Sequence, residues 1–189
     1  MEHHPFHNGT TDLHFPDDEL RRTISAMPIR VLVAEDDPAI RQMLQKTLSQ
    51  ENYDIVTAEN GELAWELLCD EEDPPRLAIL DWMMPGMDGL SLCRKIKARE
   101  TPFVFTIMLT AKTSNNDIIE ALRAGADEFL TKPFNLDVLR SRVAAGARIV
   151  RLENLLTMKN SILAYYIEKV EDLAAERARL LAERDAGTS

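Results

Sequence analysis

Short apolar runs alternate with amphipathic stretches from residue 29 onward, and the alternation carries most of what the chain says about itself. Ile29 to Ala34 (IRVLVA) is a β-branched, apolar run of strand length. Asp37 and Pro38 follow as a helix start: a side chain suited to cap the first turn, then a proline whose missing N–H does no harm there. Ile40, Met43, Leu44, Thr47 and Leu48 recur at helical spacing. A second strand is predicted around Asp54 to Ala58. Asn60-Gly61 marks a turn, and Leu63, Ala64, Leu67 and Leu68 mark a helix that stops before Pro74-Pro75. Leu77 to Asp81 (LAILD) is a third strand that ends in an acid. Pro85-Gly86 and Asp88-Gly89 make Met83 to Gly89 a loop. Leu90 to Arg99 reads as a helix and Phe103 to Thr110 as a fourth strand. Asn115 to Ala124 reads as a helix closed by Gly125, and Glu128 to Thr131 as a short fifth strand. Asn135 opens the last helix.

Five strands alternating with five helices predict βαβ units, and so a parallel sheet covered on both faces. The expected fold is a flavodoxin-like, doubly wound five-stranded α/β sandwich. Such sheets bind ligands beyond the carboxyl ends of their strands, which directs attention to the residues that close each strand.

Those residues are unusual. The first strand ends at Glu35-Asp36-Asp37, the third at Asp81, the fourth at Thr110-Ala111 and the fifth at Lys132-Pro133. Several carboxylates at one sheet edge repel one another unless a cation compensates them. A small, hard divalent ion that keeps part of its water shell suits so few protein oxygens, so Mg²⁺ is the expected cofactor, with Mn²⁺ as a substitute. Lys132 adds a fixed positive charge and Thr110 a hydroxyl. With the metal these make a receptor for a tetrahedral anion, and a carboxylate there can accept a phosphoryl group.

Taken in order, VLVAEDDP, LAILDWMMPGMDG, IMLTA and FLTKPF resemble the response-regulator receiver domain of two-component signalling, over about Ile29 to Ala147. The resemblance implies that Asp81 is the phosphorylated residue. It implies that Asp36 ligates the metal directly, Glu35 through a water, and Met83 through its backbone carbonyl. Thr110 and Lys132 would bind phosphoryl oxygens, and small Ala111 would leave them room. Phe129 falls at the family's aromatic switch position, with a plain core phenylalanine as its rival reading. A cis Lys132-Pro133 peptide is expected. Met83 and Lys112 flank the path of a water attacking the phosphoaspartate, and an apolar Met83 should lengthen the life of the phosphorylated form. The donor would be a histidine kinase or phosphotransfer protein. The chain would not be an enzyme beyond assisting its own phosphorylation and dephosphorylation.

Beyond the receiver stretch, helical character runs on towards Arg184 without Gly or Pro between Ala147 and Ala186. Steps of three and four pick out Ile149, Leu152, Leu156, Lys159, Leu163, Tyr166, Val170, Leu173, Arg177 and Leu180. This heptad seam predicts a parallel coiled-coil homodimer through residues 149–180. The rival is one amphipathic helix folded back on its own domain. Leu155 and Ile162 widen the stripe towards a bundle. The run RVAAGARIVRLENLL resembles the linker of regulators that end in a diguanylate cyclase. Within this sequence no cyclase-like glycine signature or helix-turn-helix pattern follows, so the expected reader of the signal is an output partner protein or a missing output domain. The domain plan is thus a tail (1–28), a receiver (29–147), a coiled-coil helix (148–185) and a short end (186–189).

Composition narrows the rest. With 45% hydrophobic and 29% charged residues, a packed core is available and global disorder is excluded. A net charge of -10 disfavours nucleic acid and anionic membrane as partners. No apolar run is long enough to span a bilayer, and the N-terminus lacks the basic-then-apolar pattern of a secretion signal, so a cytoplasmic location is expected. Cys69 and Cys93 are expected to be reduced and partly buried. All four histidines, His3, His4, His7 and His14, lie in the tail. No cysteine or second patterned cluster completes a metal set there, and a polar tail is the simpler reading. Asp18 to Met27 has the composition of a short helix.

Three rivals stand beside the receiver. An aspartyl phosphatase would want a second aspartate two places after Asp81, where Met83 stands. A flavodoxin-like cofactor binder would want a phosphate-cradling loop after the first strand, where the acids repel phosphate. A non-phosphorylated dimer scaffold would have no use for the complete acidic, Thr and Lys set.

Overall fold

The computed structural model describes residues 27–99, 102–111 and 114–186. The histidine tail, the short helix expected over Asp18 to Met27 and Lys112 fall outside this set, Met27 itself excepted.

Five strands, β1 (Ile29–Ala34), β2 (Tyr53–Ala58), β3 (Leu77–Asp81), β4 (Phe105–Thr110) and β5 (Glu128–Thr131), form one sheet in the order β2-β1-β3-β4-β5. Every pairing is parallel. The helices are α1 (Pro38–Leu48), α2 (Gly61–Leu68), α3 (Gly89–Lys97), α4 (Asn115–Arg123) and α5 (Leu136–Ala186). The flavodoxin-like expectation is met. Strand order reverses between β1 and β3, and that is where a crevice opens beyond the strand ends.

Strand alternation builds two cores. Val31 and Val33 of β1 point to one face with Ile79, Ile107 and Leu109, under α1 and α5. Leu32 and Ala34 point to the other with Ala78, Leu80 and Met108, under α2, α3 and α4. Burial on both faces explains why these strands read as continuous apolar runs.

Local chemistry sets the element ends. Asp37 accepts from the Ala39 and Ile40 N–H groups at 2.8 and 3.1 Å and so caps α1. Asn60 caps α2 through Leu63 N, and Asp88 caps α3 through Ser91 N. β4 begins two residues later than its apolar run predicts. The Phe103 carbonyl accepts from Arg76 Nε at 2.7 Å, and the ladder starts only where Phe105 pairs with Leu77. Among the described residues, no helix is long and apolar enough to cross a membrane.

α5 is continuous over 51 residues. Leu139, Val143, Ala147 and Val150 are fully buried against the sheet. Gly146 lets the helix lie close, because a Cβ there would come within 2.4 Å of the Phe105 ring. Beyond Val150 the core contact ends. Leu152, Leu156, Leu163, Val170, Leu173 and Leu180 are all more than half exposed. Two residues past Val150, Leu152 is turned by about 200°, onto the opposite side of the helix. The seam therefore starts on the face that looks away from the protein's own core.

Candidate phosphoryl-acceptor site

The strand ends converge as the fold requires. Glu35, Asp36 and Asp81 each offer a carboxylate oxygen, and these atoms lie within 4.8 Å of one another. Lys132 reaches into the same cleft. Its Nζ lies 3.0 Å from Asp81 Oδ1 and donates to both Glu35 oxygens, at 2.9 and 2.8 Å. The backbone brings Lys132 there: its N–H donates to the Thr110 carbonyl at 2.7 Å, which carries the β4–β5 pairing one residue past the strand. The Lys132-Pro133 peptide is cis.

Burial divides the acids by role. Asp81 and Glu35 are buried, whereas Asp36 is exposed and open to solvent. Burial pushes the Glu35 carboxyl up from its ordinary value, and the hydrogen bond from Lys132 opposes the rise without cancelling it. Burial likewise works against the charge on Lys132. Hydrogen bonds to Glu35 and Asp81 outweigh that, and the ammonium ends above its ordinary value. Lys132 is thus the fixed cation of the cleft.

Thr110 is buried at the end of β4, and Ala111 beside it is exposed. Met83 stands two residues past Asp81, its side chain 63% exposed. Phe129 lies on the edge strand β5, half-buried against the core under α2, α3 and α4. The structure therefore gathers Glu35, Asp36, Asp81 and Lys132 at one point, with Thr110 and Ala111 at the adjoining strand end and Phe129 set back on the edge.

Glu35, expected to act on a metal through water, has a side chain with no exposure, and both its oxygens are engaged by Lys132. The reason is its place just past β1: it continues the strand's alternation inward, where an ionised carboxylate needs a partner. The thiols differ from expectation. Cys93 is fully buried on α3, but Cys69, at the end of α2, is exposed.

The donor set fits a small hard cation: three carboxylates, no sulfur or imidazole, and one face open to water. Asp36 and Asp81 would hold it, with Glu35 behind them.

Two supporting residues gave no sign in the sequence. Arg41 Nη1 donates to the Glu35 and Asp36 carbonyls at 2.5 and 3.1 Å. Glu62 accepts from Met87 N at 2.8 Å and pins the β3–α3 loop to α2. Both look like ordinary charged helix residues, and neither contact follows a local spacing rule. Gly89 is as constrained, since a Cβ there would lie 2.1 Å from the Asp81 carbonyl oxygen.

The family model described as the response regulator receiver domain matches residues 31–144. The chain belongs to this family. The receiver is 39% identical over 122 residues to the response regulator MprA of Mycolicibacterium vanbaalenii, covering 65% of this chain and 52% of that protein. It is 41% identical over 123 residues to YrkP of Bacillus subtilis, named an uncharacterized transcriptional regulatory protein, covering 65% and 51%. Among solved structures, the receiver domain of the Francisella response regulator 1452 matches with a TM-score of 0.59 at 33% identity, over 64% of this chain and 97% of that one. The chain spans about half the length of the curated relatives it matches. It is thus a receiver of the phosphorylation-accepting kind.

Proposed function

We propose that Asp81 accepts a phosphoryl group from a histidine kinase or phosphotransfer protein, that the reaction depends on Mg²⁺, and that it resets a coiled-coil dimer. The observation that carries this is the Lys132 ammonium 3.0 Å from Asp81, facing a cluster of three carboxylates.

In the transfer, the phosphorus–nitrogen bond of the donor phosphohistidine breaks as a phosphorus–oxygen bond to Asp81 forms. The electron pair of the broken bond stays on the histidine nitrogen. Asp36 and Asp81 would hold the Mg²⁺, with the Met83 carbonyl as a further oxygen, and the ion would supply charge neutralisation to the transferring group. Lys132 shifts from its carboxylate partners to a phosphoryl oxygen, and the Thr110 hydroxyl donates to another. The transfer modifies the receiver's own Asp81, so the receiver acts as a switch and not as an enzyme.

Phosphorylation then shifts a two-state equilibrium. Thr110 is drawn towards the phosphoryl group, Phe129 repacks inward, and the face of β5 and α5 changes. Because α5 runs on into the seam, a change at its receiver end alters the geometry of the dimer. The orientation of the seam supports a second chain over a fold-back, since its apolar side faces away from the domain that would have to receive it. The signal goes to a partner protein or an output domain. The regulatory output in the relatives' names belongs to those longer proteins. The net charge of -10 favours a protein partner over nucleic acid for this stretch.

Incubation with acetyl phosphate and Mg²⁺, read by intact mass, tests the acceptor. One phosphoryl group should appear on the wild type and none on Asp81→Asn or in EDTA. Equal labelling of Asp81→Asn would overturn the reading.

A further inference from the structure

We infer that Arg41 is a positioning residue for the metal-binding acid Asp36, acting through the backbone of the loop that carries it. This rests on the reading of Asp36 as a direct metal ligand.

The β1 ladder ends where Ala34 pairs with Ala58 and Leu80. Past that point the carbonyls of Glu35 and Asp36 have left the sheet, and backbone acceptors beside a buried site need partners. Arg41 supplies both. It sits in the first turn of α1, with its side chain 20% exposed, and one nitrogen reaches back five and six residues to the two carbonyls, at 3.1 and 2.5 Å. The other, Nη2, lies 4.0 Å from the Glu59 carboxylate just past β2. The Glu35 N–H meanwhile donates to the Ala58 carbonyl at 3.1 Å. The loop is thus clamped from both sides. Its N–H is tied to β2, its carbonyls are tied to α1, and Asp37 caps the helix that carries the arginine.

The clamp fixes the peptide planes on either side of the Asp36 Cα, and so the direction in which its Cα–Cβ bond leaves the loop. Asp36 needs such help more than its neighbours do. Asp81 and Glu35 are held by burial and by Lys132, but Asp36 is exposed. A ligand carried on a loose loop loses affinity to the entropy of ordering that loop, and a support that orders the backbone beforehand removes that part of the loss.

Arg41→Met keeps the stem and removes the donors and the charge. Arg41→Lys keeps the charge without the fork. Calorimetric titration with Mg²⁺ should show Arg41→Met binding about tenfold more weakly than wild type, with Arg41→Lys between the two. At saturating Mg²⁺ the phosphorylation rate with acetyl phosphate should return to the wild-type value in both, because Lys132 and Thr110 are untouched. A purely structural role would leave Mg²⁺ affinity alone, or lower the rate in a way that metal cannot restore, and either result overturns the proposal. If Arg41→Met does not fold, Arg41→Lys decides alone: affinity equal to wild type overturns the proposal and weaker binding supports it. Asp36→Asn separates the levels. If wild type binds no Mg²⁺, or Asp36→Asn binds it as wild type does, the metal-ligand reading has failed, and the clamp has nothing to position.

Discussion

The Lys132 ammonium lies 2.8 Å from the carboxylate of Glu35, a side chain with no solvent exposure. This contact joins residues 97 positions apart, one just past the first strand of the domain and one just past the last. It holds a cation beside Asp81 before any phosphoryl group arrives. It also makes the lysine part of the fold's stability as well as of its chemistry.

Removing that cation should therefore destabilise the receiver. In Lys132→Met, Glu35 keeps its burial and the repulsion of Asp81 and Asp36, all of which raise its pKa, and loses the hydrogen bond that lowers it. The folded state then holds a proton on Glu35 at pH values where the unfolded chain has released it. Stability falls as pH rises through that window, from the ordinary glutamate range up to the raised folded value. Urea unfolding in EDTA should show a loss of about 3 kcal/mol at neutral pH, shrinking as pH falls towards 5. A loss that is the same at both pH values would contradict the burial argument.

Gly89→Ala should strain the site from beneath. The new methyl would meet the Asp81 carbonyl 2.1 Å away and the Met108 sulfur 3.2 Å away, so the turn entering α3 must shift. Overpacking of this kind costs about 1–3 kcal/mol. Thermal unfolding should report that loss, and acetyl phosphate labelling should slow beyond what the lost stability explains. Unchanged labelling would mean that the carbonyl moves without the carboxylate.

The seam makes a prediction about size. Leu163 and Leu173 are 59% and 64% exposed in the single chain, on the side opposite the receiver core. The double substitution Leu163→Glu, Leu173→Glu should convert a dimer to a monomer in light scattering, and should leave the receiver's melting temperature almost unchanged. A wild type that is already monomeric at high concentration would remove the dimer from the proposal.

Met83 bears on timing. Its thioether side chain, exposed beside the acceptor, offers an attacking water no hydrogen bond that would orient it. The phosphorylated form should last minutes or longer, and Met83→Asn should shorten its life severalfold by supplying such a partner. Phosphoprotein decay followed by intact mass after removal of the donor measures both. Decay of the wild type within seconds would count against the shielding role.

The sequence by itself determined the element order, the five strands and the acidic, hydroxyl and lysine residues that close them. It could do so because each signal is local: a β-branched run, a capping side chain, a proline or glycine at a turn. Parallel strands joined by helices must then bring their carboxyl ends to one edge, so Asp36, Asp81, Thr110 and Lys132 could be grouped before any coordinates. Only the tertiary structure decided that Glu35 turns inward to Lys132, that Arg41 clamps its loop, and that Glu62 reaches across to Met87. Each of these is a contact between side chain and distant partner, or between side chain and loop backbone, and no periodicity records it. The tertiary structure also fixed which way the seam looks. A heptad pattern names the residues of a stripe, but only the docking of Val143, Ala147 and Val150 on the sheet sets that stripe on the far side of α5.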